Sequence, residues 1–187
     1  MNPGTIIFLN GTSSSGKSTI LRALQDSLDE PYLEAGIDKF IFMLPRRYLE
    51  RPLWDDILGL AATAGAAGHQ LVGGMHRAIA ALSAAGCGVL ADHVLVEPAW
   101  VQECAALFAD SPAYLIGVRC PLDVLEQREQ ARRDRTLGQA RLQFDKVHAH
   151  GIYDLEVDTA VSSPAACAAQ ITARLLAGPP NAFKRLR

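Results

Sequence analysis

The stretch Thr5-Ile6-Ile7-Phe8-Leu9-Asn10-Gly11-Thr12-Ser13-Ser14-Ser15-Gly16-Lys17-Ser18 decides the fold. Its first half is a short run of apolar and β-forming residues, which reads as a buried strand. Its second half, Gly11 to Ser18, carries Gly, Gly, Lys and Ser at the fixed places of the P-loop pattern. Glycines allow backbone conformations closed to other residues and let amide groups approach phosphate oxygens. Ile20, Leu21, Leu24 and Leu28 then recur at helical spacing, with Pro31 as the stop. A bound phosphate would therefore meet the positive end of a helix. A serine-rich turn before a helix is the bland reading. At average glycine usage the four fixed positions coincide by chance in on the order of one chain in a hundred.

Working outward, strands are predicted over Tyr32 to Ile37, Val89 to Ala91, Ala113 to Val118 and Glu156 to Asp158. Helices are predicted over Met75 to Ala85, Pro98 to Phe108, Leu122 to Arg132 and Ala165 to Leu176. Residues 46 to 74 are less regular. Short apolar strands alternating with helices imply an α/β fold, a three-layer sandwich around a five-stranded parallel sheet. Ligands of such sheets bind beyond the carboxyl ends of the strands. One domain over residues 1 to 178 is expected, with residues 179 to 187 as a mobile tail after Gly178-Pro179-Pro180.

The 187 residues are 49% hydrophobic and 20% charged, a globular composition. A net charge of −2 speaks against a dedicated nucleic-acid partner. No apolar run reaches the length of a membrane span, and the first residues lack a signal-peptide layout. The expectation is a cytoplasmic protein with no membrane partner and self-association left open. Cys87, Cys104, Cys120 and Cys167 form no CxxC pair, so they read as reduced, mostly buried thiols.

Phosphate chemistry needs acids and cations near the loop. Lys17 would reach the β- and γ-phosphates of ATP, the Ser18 hydroxyl would ligate Mg2+, and the loop from Gly11 through Thr12, Ser13, Ser14, Ser15 and Gly16 to Thr19 would cradle the nucleotide. Asp92 ends an apolar strand, as a magnesium-holding acid does; a turn role is the alternative. Asp38 follows the second predicted strand and suits a general base for an acceptor hydroxyl. An N-cap for a helix starting at Lys39 suits it equally. Arg128, Arg132, Arg133 and Arg135 crowd into eight residues. If the helix runs on, Arg128, Arg132 and Arg135 share one face and serve as a phosphate-binding lid over roughly residues 128 to 140. Pairing with Glu126, Glu129 and Asp134 on a solvated face is the bland alternative.

These anchors resemble the chloramphenicol phosphotransferase family, small P-loop kinases related in fold to shikimate and adenylate kinases. The resemblance runs from about Ile6 to Thr159 through Leu9-Asn10-Gly11, Gly36-Ile37-Asp38, Ala91-Asp92, Gly117-Val118-Arg119-Cys120, Arg128-Glu129, Arg132, Asp134-Arg135, Gly138, Val147-His148, Tyr153-Asp154 and Val157-Asp158-Thr159. It implies a nucleoside/shikimate-kinase-like P-loop NTPase that phosphorylates a small-molecule hydroxyl, with Asp38 as base and Arg132 and Arg135 as lid arginines. Two departures stand out. His93 occupies a place where that family can carry a second acid, and residues 46 to 74, within an acceptor region of about residues 39 to 80, match poorly. His69, His76, Trp54, Phe40 and Phe42 fall in the acceptor region; buried core suits the two Phe better than an acceptor wall. Rival readings are a nucleoside or other metabolite kinase, a kinase of nucleic-acid ends, and a non-catalytic nucleotide switch. Against the last, Asp56-Ile57-Leu58-Gly59 follows no predicted strand, and no Asn-Lys-x-Asp motif is present.

Overall fold

Every residue of β1 (Ile6–Asn10) is buried. A strand apolar on both faces needs cover on both, so it belongs at the centre of a parallel sheet. The computed structural model, which describes residues 2–45, 66–132 and 137–187, places it there. With β2 (Tyr32–Glu34), β3 (Gly88–His93), β4 (Ala113–Arg119) and β5 (Leu155–Asp158), it forms a five-stranded sheet in the order β2-β3-β1-β4-β5. All pairings are parallel, with Leu9 level with Asp92 and Ile116. This is the α/β three-layer architecture expected from the strand and helix alternation.

Eight helices flank the sheet among the described residues: α1 (Lys17–Ser27), α2 (Ile37–Ile41), α3 (Ala66–Ala84), α4 (Pro98–Phe108), α5 (Leu122–Ala131), α6 (Gln139–Val147), α7 (Pro164–Leu176) and α8 (Ala182–Leu186). One core layer sets Ile7 and Leu9 against Ile20, Leu24 and Ile171. The other sets Ile6 and Phe8 against Val72, Met75, Phe108 and Phe183. All four cysteines are free thiols, three of them buried. No helix of the described residues is long and apolar enough to cross a membrane.

Several expectations are corrected. The second strand stops at Glu34, and α2 begins at Ile37 with Gly36 as its N-cap. Asp38 is therefore the second residue of a helix, and the capping role imagined for it belongs to Gly36. The third helix starts at Ala66, through the glycine-containing stretch read as irregular. The tail is not loose: Phe183 on α8 is 2% exposed, its ring 5.3 Å from Phe108 and 6.0 Å from Phe8. Helix α5 ends at Ala131, and Arg132 is extended at φ −91 and ψ 131. Arg132 therefore lies past the end of the helix that carries Arg128, and the two do not share one continuous helical face. Phe42 is 64% exposed, so a core role for it fails, whereas Phe40 packs partly against the core.

Candidate active site

The P-loop follows β1 directly. Gly11 is required by contact: a Cβ there would lie 2.6 Å from the Val118 carbonyl oxygen. Ser14 and Gly16 take left-handed backbone conformations, φ 63 and 90, that turn the loop into α1. Lys17, the first residue of α1, is 7% exposed and arches back, its Nζ donating to the carbonyls of Gly11 (2.8 Å) and Thr12 (2.7 Å). The buried hydroxyls of Ser14 and Ser15 have no hydrogen-bond partner among the described residues. Buried polar atoms are rarely left so, and anionic oxygens are the partners this loop geometry suits.

A pocket of about 420 Å³ opens from the loop. Ser13, Ser14, Gly16, Lys17, Ser18 and Thr19 line it on one side, Asp38 and Asp92 on another, and Arg128 and Arg132 on a third. Residues far apart in sequence thus share one pocket. Gly11, Thr12 and Ser15 do not line it. Thr12 faces a separate cavity of about 230 Å³ shared with Arg119, Cys120 and His148. Residues 46 to 65, with Trp54 and Asp56-Ile57-Leu58-Gly59, and residues 133 to 136, with Arg133, Asp134 and Arg135, lie outside the described residues.

The Ser18 hydroxyl donates to Asp92 Oδ2 at 3.0 Å. Burial pushes the Asp92 carboxyl pKa up; Lys17 opposes this, Asp38 adds to it, and the Ser18 hydrogen bond opposes it. Gly36 makes room for that carboxylate, since a Cβ there would stand 1.9 Å from Asp92 Oδ1. His93 has no place in the pocket. It is fully buried with its ring 5.8 Å from Phe8, 5.5 Å from Trp100 and 5.1 Å from His76, and burial holds its pKa well below the usual imidazole range.

Arg128, Glu126 and Glu129 do not pair with one another as the solvated-face reading required. Arg128 donates to Thr159 Oγ1 at 2.9 Å and to the Thr159 carbonyl at 2.8 Å, while Thr159 Oγ1 donates to the Ser15 carbonyl at 2.8 Å. Glu126 pairs with Arg141, and Glu129, 2% exposed, accepts the backbone N–H groups of Gly138 (2.7 Å) and Ala140 (3.0 Å). That carboxylate ties the end of α5 to the start of α6 and supplies an anion there. Helix α6 brings Gln139 and Gln143 to the pocket, two residues the sequence reading missed; Gln143 Oε1 accepts the Ser13 N–H at 2.7 Å. Their spacing of four on one face is the only signal they offered.

Serine and carboxylate oxygens are hard donors of the kind magnesium takes, so Ser18 and Asp92 fit that ion. No group of three or more His, Cys, Asp or Glu among the described residues makes a metal site of protein ligands alone.

Residues 4–176 match the family described as chloramphenicol phosphotransferase-like protein. Two Mycobacterium tuberculosis proteins, each named "Putative O-phosphotransferase", are 34% identical over 201 residues, covering 100% of this chain and 89% of theirs. Among solved structures, a sugar kinase from Janibacter superposes with a TM-score of 0.69 at 16% identity, covering 95% of this chain and 97% of the other. The APS kinase of Mycobacterium tuberculosis, in complex with AMPPNP and APS, gives 0.63 at 15% identity over 95% and 100%. Shikimate kinase from Acinetobacter baumannii, in complex with shikimate, gives 0.63 at 14% identity over 95% and 94%. The fold is that of the P-loop kinases, and the chain belongs to the chloramphenicol phosphotransferase-like family.

Proposed function

We propose that this protein is an ATP-dependent phosphotransferase that moves the γ-phosphate to a hydroxyl of a small molecule, with chloramphenicol the first acceptor to test. One observation carries the reading: a single pocket joins the P-loop cation Lys17 to two carboxylates, Asp38 and Asp92, with Arg132 at its rim. A nucleotide switch needs no second carboxylate beside an acceptor space; a transferase does. The relatives named as O-phosphotransferases support the same chemistry.

On this reading the amides of Ser14 and of residues 16 to 18, together with the Lys17 side chain, hold the phosphates, and Arg128, fixed to Thr159, borders the nucleotide. Ser18 and Asp92 would hold magnesium, which shields phosphate charge when bound. Asp38 orients the acceptor hydroxyl and takes its proton as that oxygen attacks the γ-phosphorus, while the bond from phosphorus to the β–γ bridging oxygen breaks and ADP leaves. Arg132 and Arg135 balance charge on the transferring group.

The test is γ-phosphate transfer from ATP across a panel of hydroxyl compounds, chloramphenicol first and then shikimate and sugars. Asp38→Ala is expected to lower transfer by about 10²- to 10⁴-fold while leaving ATP affinity within about twofold. Retained turnover removes Asp38 from the chemistry. ATP hydrolysis that no acceptor stimulates removes the transferase reading.

A further inference from the structure

Asn10, His148 and Tyr153 all fall on the family resemblance, yet the proposed chemistry uses none of them. They meet behind the P-loop in one chain of hydrogen bonds. Asn10 is fully buried at the end of β1, one residue before Gly11. Its Oδ1 accepts the Leu95 N–H at 2.9 Å, which fixes the orientation of the amide. Its Nδ2 then donates to the Val147 carbonyl and to Tyr153 Oη, both at 2.8 Å, and both amide hydrogens are used.

Tyr153 Oη receives a hydrogen from Asn10, so its own proton must go elsewhere. His148 Nδ1 lies at 2.6 Å and the Val147 carbonyl at 3.5 Å, and the shorter contact takes it. His148 is thereby a neutral ring protonated at Nε2; burial agrees, holding its pKa down to about 3. Residue 117 must be small for this ring to sit where it does, because a Cβ on Gly117 would lie 3.0 Å from Tyr153.

The chain runs one way, from the Leu95 N–H through Asn10 and Tyr153 to His148. It ties together three walls of the site. Leu95 lies three residues beyond Asp92, Asn10 opens the P-loop, and Val147 and His148 end α6, the helix whose Gln143 accepts the Ser13 N–H. We infer that Asn10, Tyr153 and His148 are positioning residues that hold the root of the P-loop between β3 and α6 and so set its affinity for a nucleotide's phosphates. The inference rests on reading the loop as an ATP site.

Calorimetric titration of the intact protein with ATP and with AMP, beside thermal melting, separates this role from simple folding support. Tyr153→Phe removes one hydroxyl and keeps the ring. It is expected to weaken ATP binding by about 3- to 10-fold, the size of one hydrogen bond, and AMP by less than about twofold. His148→Asn keeps an acceptor close to the place of Nδ1 and retains ATP affinity, whereas His148→Leu behaves as Tyr153→Phe. An unchanged ATP-to-AMP ratio in Tyr153→Phe, whatever its melting temperature, overturns the inference, as does a His148→Leu protein that binds ATP normally. A wild-type protein that fails to bind ATP overturns the nucleotide reading itself, a result distinct from either.

Discussion

Gly36→Ala sets one methyl group against the carboxylate of Asp92. Gly36 sits at φ −71 and ψ 160, a conformation open to alanine, so the substitution carries no backbone strain. The cost lies in contact. The new Cβ would stand 1.9 Å from Asp92 Oδ1 and 3.1 Å from Cγ, where real Cβ atoms essentially never come closer than 3.0 Å, so the carboxylate must retreat by about an ångström. The Asp92 backbone cannot follow, being held in β3 beside Leu9 of β1. The side chain must therefore turn, and the 3.0 Å bond from Ser18 breaks. Overpacking of this kind costs about 1–3 kcal/mol of stability, while a group misplaced by about 1 Å costs on the order of 10²-fold in rate. The assay is phosphotransfer together with ATP titration in the presence and absence of magnesium. A folded variant should lose transfer and the magnesium-dependent gain in affinity together. A variant with wild-type transfer and an unchanged magnesium response would refute the reasoning, showing that the position of the Asp92 carboxylate does not matter to the chemistry.

Phe183→Ala should cost about 3–5 kcal/mol in urea denaturation, because the ring is buried against Phe8 and Phe108; a loss under about 1 kcal/mol would mean that α8 does not seal that core. Glu129→Gln turns an amide donor toward one of two backbone N–H groups and should cost about 1.5–3 kcal/mol, with faster hydrogen exchange at Gly138 and Ala140. Exchange unchanged at those two amides would remove Glu129 as the grip on α6. Acid should destabilise the fold from about pH 6.5 downward. His93 and His76 are fully buried with pKa values lowered from 6.5 by burial, so the unfolded chain binds more protons than the folded one as pH falls through 6.5. Each steepens the loss by up to about 1.4 kcal/mol per pH unit. The Asp92 carboxyl, raised by burial, works in the opposite sense. Denaturation midpoints that stay level between pH 7 and 5 would contradict these burials.

What was legible before the structure had short range and strong periodicity. Ile6 to Asn10 could only be a strand covered on both faces, and Gly11 to Ser18 fixed the loop, the helix after it and the edge of the sheet where Asp38 and Asp92 had to appear. What stayed hidden depends on partners distant in sequence. Helix α6 buries Gln139, Ala140, Gln143 and Val147, a face half made of glutamine, which no hydrophobic period reveals. Gly36, the N-cap of α2, has to lack a side chain because Asp92, on another strand, fills the space one would take. Helix α5 stops at Ala131, and Glu129 near its end binds the amides of Gly138 and Ala140, so Arg132 leaves the helical face that Arg128 occupies. Gly73 in α3 runs against helix propensity, yet a Cβ there would meet Arg77 at 2.7 Å and Glu103 of α4 at 3.2 Å.

The docking of α8 on the central strand also bears on how the chain folds as it is made. Phe8 leaves the ribosome early and spends most of synthesis without the Phe183 ring that closes over it. The layer made by β1, α3 and α4 therefore stays open to solvent, and to wrong partners, until residue 183 has emerged. Such a long-range closure slows folding, since the loop entropy must be spent before the contact forms. The opposite layer, where α1 covers Ile7 and Leu9, can begin to assemble much sooner. That layer too is completed only when Ile171 of α7 arrives, and nascent chains cut short before α8 present the bare face of Phe8 and Phe108 to chaperones.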